Sequence, residues 1–456
     1  MLLNLLERDS SGGDGSVEIG NTYWRLVTHD LDTSDVETIP FICASYAWGK
    51  VKESSAFHPS FEVSIRTKPI VAAIVARRPL CTRIWVDAFC VPLEEHARIH
   101  TLQSMGYIYS LAQEVVAVLS SATQPVIKQM AESDRLTDAE HLKTLESDDW
   151  ISRAWTYQEA VNSRRFAITC EGPGDWIVEG SHFLNCLGFT LTRFQEAPYS
   201  SQDGPTYPRL DTFQDLIADY MIAAYQERSA LQVMSNMDRR DQENQADHFY
   251  AMMGAISNKC SSFADTVDAC EAFMAMCEKK GDYSFIYSST ERNPAPKRRW
   301  RPLSNDLLPA VLSWHCFGDP QPAHEEDGSL YLDDVLVVEP HHLTDTGIEF
   351  LEDWVRRSKF SVSRSGGIES MVSLALECMG FRGSFKGIPT KNGLFFPVGK
   401  QPFHEGMTII VATKVRWTFG APGLICIREE GEEVIFVPGV FFGFVDNKGA
   451  TSFKLS

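Results

Sequence analysis

Short apolar runs alternate with helical repeats through the first part of the chain. Phe41 to Tyr46 (FICASY), Arg83 to Phe89 (RIWVDAF), Glu114 to Leu119 and Arg165 to Thr169 (RFAIT) have the length and residue types of buried strands, and Thr22 to Thr28 predicts another. Between them lie helical patterns. Lys68 to Arg78 is one. Arg98 to Ala112 is a second, with Leu102, Met105, Ile108, Tyr109 and Ala112 on one side. A third, Asp148 to Asn162 (DDWISRAWTYQEAVN), has Asp148 and Asp149 suited to an N-cap and first turn, and no Gly or Pro inside it. Strands alternating with helices imply βαβ units, so residues from about Phe41 to Cys170 are expected to form one parallel α/β layer structure.

The pattern then changes. Asp211 to Met234, Ala246 to Ile256 and Ser262 to Glu278 read as helices, and Asn293 to Pro302 (NPAPKRRWRP) as a Pro-rich connector. From about Ser329 the chain is β-like, with a hairpin turn expected at Glu429-Glu430-Gly431. This divides the sequence into an opening segment (1–36), an α/β domain (37–185), a helical region (186–300) and a β-rich C-terminal region (301–456). Within the opening, residues 10–20 (SSGGDGSVEIG) suggest a flexible loop; the glycines do not complete GxGxxG.

Composition narrows the class. Of 456 residues, 44% are hydrophobic and 23% charged, which is ordinary for a soluble globular protein. A formal net charge of -19 argues against a broad nucleic-acid or anionic-membrane surface. No apolar run is long enough for a membrane helix, and the opening MLLNLLERDSSGG lacks the basic region of a secretory signal. The 11 cysteines include no CxxC pair, which predicts reduced, mostly buried thiols and a cytoplasmic protein. Neither HExxH nor a paired Cys spacing is present, so no metal is expected.

Candidate chemistry gathers on the Asp148–Asn162 stretch. Trp155, Gln158, Glu159 and Asn162 recur at helical spacing and place an indole, an amide and a carboxylate on one face. Tyr46, Trp48, Gly49, Asp87 and Cys90 fall where expected strands end, which is the ligand-binding rim of a parallel sheet. A thiol nucleophile at Cys90 with His96 or His100 as base is disfavoured, because the cysteine ends a buried strand and EEHARIH reads as a solvated helix start. His341-His342 reads as a surface pair, and Asp238 to Asp241 as a solvated charged turn.

Four ordered blocks carry a family resemblance: FICASYAWG, RIWVDAFCV, QSMGYIYSLAQEVVAVLS and WISRAWTYQEA. Together they resemble the fungal HET (heterokaryon incompatibility) domain over about Phe41 to Gly172. DRRDQENQADHFYAMMGAI and VRWTFGAPGLICIREEGEEVIFVPGVFFGFVDN resemble, more weakly, segments that follow that domain. The family's Asp-Ala-x-Cys strand usually continues Ile-Asn-Gln; here it continues Val91-Pro92-Leu93, without the amide pair. HET domains are similar to TIR domains, so the resemblance implies a TIR-like (flavodoxin-like) parallel sheet. Some TIR domains cleave the nicotinamide–ribose bond of NAD with a glutamate in a Trp-Cys-x-x-Glu pattern. Trp155 to Glu159 has the same spacing, which implies Glu159 as catalytic residue and NAD as substrate rather than bound cofactor. Ser45, Tyr46, Trp48, Gly49, Asp87, Arg153, Trp155 and Gln158 would then bind a nucleotide-type small molecule. Two alternatives stay open. One is a non-catalytic module that signals by self-association. The other is a HET-like fold redeployed as a small-molecule biosynthetic enzyme.

Overall fold

The computed structural model describes residues 1–31, 39–133, 138–194, 206–223, 228–257, 268–326, 329–358, 367–399, 407–428 and 434–455. The chain divides into two compact units. The first takes in Met1–Glu196, Tyr207–Gln226 and Arg240–Val267; the second takes in Ala197–Thr206, Glu227–Arg239 and Asp268–Ser456.

The first unit is built on an eight-stranded sheet. In chain order the strands of this unit are β1 (Leu2–Asp9), β2 (Val17–Ile19), β3 (Thr22–Asp30), β4 (Ile42–Ser45), β5 (Lys52–Ser54), β6 (Glu62–Ser64), β7 (Arg83–Trp85), β8 (Glu114–Leu119), β9 (Phe166–Cys170) and β10 (Val178–Glu179). All but β5 and β6, which pair separately, lie in the sheet, in the order β10-β9-β8-β4-β7-β1-β3-β2. The four central strands are parallel, with Ile42 opposite both Ile84 and Glu114, and Val115 opposite Phe166. Strands β4, β8 and β9 are buried along their whole length, as continuous apolar strands covered on both faces should be. Strands β4, β7 and β8 therefore share one sheet, as the alternation of elements predicts.

Two expectations need correction. The sheet is mixed, not wholly parallel: β1 runs antiparallel to β7 and β3, and β10 antiparallel to β9. The Gly/Ser-rich opening is also not simply a loop, because Val17–Ile19 pairs with β3. In β1 (LLNLLERD) apolar residues do not alternate with polar ones, so the period-2 signal of a half-buried strand is missing there. Along the parallel strands the order is second, first, third, fourth, so the chain reverses direction between β4 and β8. In doubly wound sheets that reversal point, at the carboxyl ends of the strands, is where ligands bind. Ser45 ends β4 there, opposite Ala117 of β8.

The second unit holds an antiparallel sheet of strands Ala323–Glu326, Ser329–Val338, Thr408–Ala412, Gly420–Arg428, Val434–Gly443, Gly393–Pro397 and Ile388–Pro389, in that order, with Thr451–Leu455 on Ser329–Val338. The expected β-rich C-terminal region is present. The hairpin turn at Glu429–Gly431 and residues 262–267 of the expected Ser262–Glu278 helix lie outside the described residues; that helix is described over Ala269–Lys280. The Pro-rich stretch is not a bare connector: Arg301 is buried and pairs with Glu271 and Glu278 at 2.7 and 2.6 Å. Among the described residues no helix is long and apolar enough to cross a membrane.

Candidate functional site

The Asp148–Asn162 stretch is not one helix. Asp149–Ser152 and Ala154–Val161 are separate, and Arg153 between them is extended (φ -69°, ψ 140°). No Gly or Pro causes the break. Backbone pairing does: Arg153 forms a parallel bridge with Asp241, whose N–H donates to the Ser152 carbonyl at 2.8 Å and whose carbonyl accepts from Ala154 at 2.9 Å. The Thr156 hydroxyl then satisfies the freed carbonyls of Trp150 and Arg153, at 2.9 and 2.8 Å. The restarted helix keeps Trp155 and Glu159 one turn apart.

Glu159 is buried and accepts a short hydrogen bond from the Ser45 hydroxyl. The serine cannot point elsewhere, because its oxygen accepts the Trp150 indole N–H at 2.8 Å. The relay Trp150 to Ser45 to Glu159 thus fixes the carboxylate at the sheet's reversal point. Burial pushes the Glu159 carboxyl up to about 7, aided by the like charge of Asp87 and opposed by Ser45, Tyr109 and Arg153. Asp87 is likewise raised by burial, against the Trp48 indole N–H at 2.8 Å and the Ala88 N–H at 2.7 Å.

A cavity of about 420 Å³ opens beside these groups, within the range of small-molecule sites. Its lining includes Tyr46, Trp48, Asp87, Arg153, Trp155 and Glu159, so the structure brings six of the expected site residues together. Ser45 lies behind the wall, bonded to Glu159. Gly49 is outside the lining; its N–H donates to Ser64 at 3.1 Å, and a side chain there would press on Arg66. Gln158 is fully buried and faces Gly254 rather than the cavity. Trp48 is half-buried, its ring anchored through its N–H to Asp87. Val91, Pro92 and Leu93, where the family's amide pair is missing, form an apolar part of the wall.

Further lining residues were not legible in the sequence. Lys52 and Arg98 contribute cations, and Glu243, Asn244 and Asp247 come from a distant stretch. Burial raises the Asp247 carboxyl, opposed by Asn244, which donates to it at 3.2 Å, and by the neighbouring Trp155 indole. The Trp-amide-carboxylate stripe and the strand ends pointed to this region, but nothing in the local sequence links residue 155 to residue 247. The Asp238–Asp241 run is not a solvated turn throughout, since Arg240 is buried and Asp238 is half-buried. Asp238 accepts from Ala310 and Ser313 at 2.8 Å, and the Arg240 guanidinium lies 5.1 Å from the Tyr157 ring centroid. Cys90 is buried outside the cavity lining, and burial pushes its thiol up to about 12. Among the described residues no cluster of His, Cys, Asp and Glu could hold a metal ion.

The family model for heterokaryon incompatibility protein (HET) matches residues 41–159, from the first parallel strand to Glu159 itself. Comparisons with curated proteins and with solved structures give no match. The chain therefore carries a HET domain over residues 41–159.

The raised Glu159 carboxyl has a stability consequence. Its folded value of about 7 lies above the ordinary 4.5, so between those pH values the unfolded chain has lost a proton that the folded chain keeps. Stability from this group thus falls as pH rises from 4.5 to 7, by on the order of 3 kcal/mol, and the full cost persists above 7. Glu159→Gln carries no such cost. Its melting temperature should exceed that of the wild type at pH 8, and the difference should shrink towards pH 5. A difference independent of pH would show that Glu159 is not held near neutrality by burial.

Proposed function

We propose that the chain is an NAD-cleaving glycohydrolase, or a related ribosyl-transfer enzyme, with a TIR-like HET domain acting in fungal incompatibility and cell-death signalling. The observation that carries this reading is a buried, hydrogen-bonded Glu159 in a cavity flanked by two indoles, Trp48 and Trp155. Cleavage breaks the bond between ribose C1′ and the nicotinamide nitrogen. The bonding pair goes to nicotinamide and cancels its ring charge, leaving an oxocarbenium-like ribose that water attacks with loss of a proton. Ionised Glu159 would oppose that positive charge, and the indole faces would hold planar rings. Because nicotinamide leaves well, positioning and an anionic partner suffice without strong acid catalysis.

The test is nicotinamide release from NAD by the purified full chain, run beside an unbiased metabolite-depletion screen. Release supports the reading; depletion of some other metabolite without it overturns the reading. The second outcome has one structural observation in its favour, the apolar Val91-Pro92-Leu93 wall, which suits a HET-like fold turned to other small-molecule chemistry. Cys90→Ser should leave turnover within about threefold, because a thiol held near 12 is not a thiolate at neutral pH. A hundredfold loss with the fold preserved would restore the thiol as nucleophile.

A further inference from the structure

The cavity is not uniform in charge. Glu159, with 4% of its surface exposed, and Asp87 sit where the parallel strands end. Lys52, Arg98 and Glu243 also line it, but are exposed to solvent. Lys52 and Arg98 make no ion pair among the described residues. Arg153 is the cation between these zones: its side chain is 18% exposed, and one guanidinium nitrogen donates to the Trp48 carbonyl at 3.3 Å. The other nitrogen meets Glu243 at 3.3 Å, and Glu243 is 61% exposed. A single exposed carboxylate on an Arg is a weak, salt-screened partner. A phosphate oxyanion offers the same guanidinium a stronger, geometrically matched contact.

We infer that Glu243 is a placeholder: it pairs with Arg153 at the cavity wall and yields it to the anionic group of the ligand. The inference rests on the proposed nucleotide reading for the ligand's identity, but the anion site itself follows from the charge arrangement. The ligand class is a phosphorylated nucleoside, with its phosphate among Arg153, Arg98 and Lys52 and its uncharged or cationic part towards Glu159. Glu243 lies outside residues 41–159, so this control on Arg153 comes from beyond the HET domain. Displacing Glu243 costs the ligand part of its own binding energy, and deleting its charge removes that cost along with a nearby repulsion.

The experiment compares wild type, Glu243→Gln and Arg153→Gln as full chains. Binding of inorganic pyrophosphate, ADP-ribose and uncharged nicotinamide is measured by calorimetry at low and high salt. Glu243→Gln should bind pyrophosphate and ADP-ribose roughly three- to tenfold more tightly at low salt, with the gain fading at high salt. Nicotinamide binding should not change. Arg153→Gln should lose most of the affinity for both anions, and adding Glu243→Gln to it should give no further gain. Equal or weaker anion binding by Glu243→Gln overturns the inference, as does equal tightening for nicotinamide. Failure of wild type and Glu243→Gln to bind either anion also overturns it. Tighter pyrophosphate binding without ADP-ribose binding or NAD turnover leaves the anion site standing and removes the NAD reading. NAD turnover with no effect of Glu243→Gln removes only the placeholder.

Discussion

Glu159→Gln is expected to fold normally and to release nicotinamide from NAD some 10² to 10³ times more slowly than the wild type. The substitution keeps the size of the side chain and lets the Ser45 hydroxyl still donate to an oxygen. What it removes is the charge. A carboxylate opposing a cationic transition state in a water-poor site contributes a few kcal/mol, which is the source of that factor. The relay from Trp150 through Ser45 makes the carboxylate preorganised rather than merely nearby. The same group sets the pH profile. Only ionised Glu159 can oppose the charge, and it ionises near pH 7, so the wild-type rate should climb as pH rises through about 7 and level off above it. The mutant's residual rate should lack that limb. Equal rates for both proteins, or a mutant that keeps the limb, would place catalysis elsewhere.

Much of this site was legible in the sequence, for identifiable reasons. Buried parallel strands read as unbroken apolar runs, so β4, β8 and β9 stood out, and the ends of β4 and β7 marked the rim. Helical spacing alone put Glu159 beside Trp155. The hidden parts depend on partners far along the chain. Arg153 leaves the helix because Asp241 pairs with its neighbours' backbone, and no local propensity encodes that. Gln158 shares the helical stripe yet turns to Gly254, because a stripe has width and the cavity meets only one edge of it. The charged run around Asp238 looked solvated because what holds Asp238 and Arg240 lies outside the run: the Ala310 and Ser313 donors for the first and the Tyr157 ring for the second. Trp150 is core, and its N–H gains a role only through Ser45, which lies far along the chain.

The crossing of helices Met105–Leu111 and Gln245–Ile256 should tolerate no side chain at Gly106, and Gly106→Ala is expected to cost at least about 3 kcal/mol. A Cβ on Gly106 would lie 2.1 Å from the Gly254 carbonyl oxygen and 2.7 Å from its Cα, so backbone meets backbone and no rotamer change relieves it. The second helix cannot simply withdraw. The same Gly254 carbonyl accepts from Asn162 at 2.6 Å, which ties it to the end of the Glu159 helix. The reverse substitution is milder in kind: a Cβ on Gly254 would meet chiefly the amide end of Gln158, which can swing, with the Gly106 nitrogen at 3.0 Å. Gly254→Ala should therefore cost less than Gly106→Ala. Because helix Gln245–Ile256 also carries Asp247 to Trp155, any Gly106 variant that does fold should show weakened ligand binding as well as a lower unfolding midpoint. Urea unfolding of the full chain measures the first effect and calorimetry the second. If Gly106→Ala unfolds within about 0.5 kcal/mol of the wild type, a range typical of open surface positions, the two helices are not in backbone contact and the wall they support is not rigid.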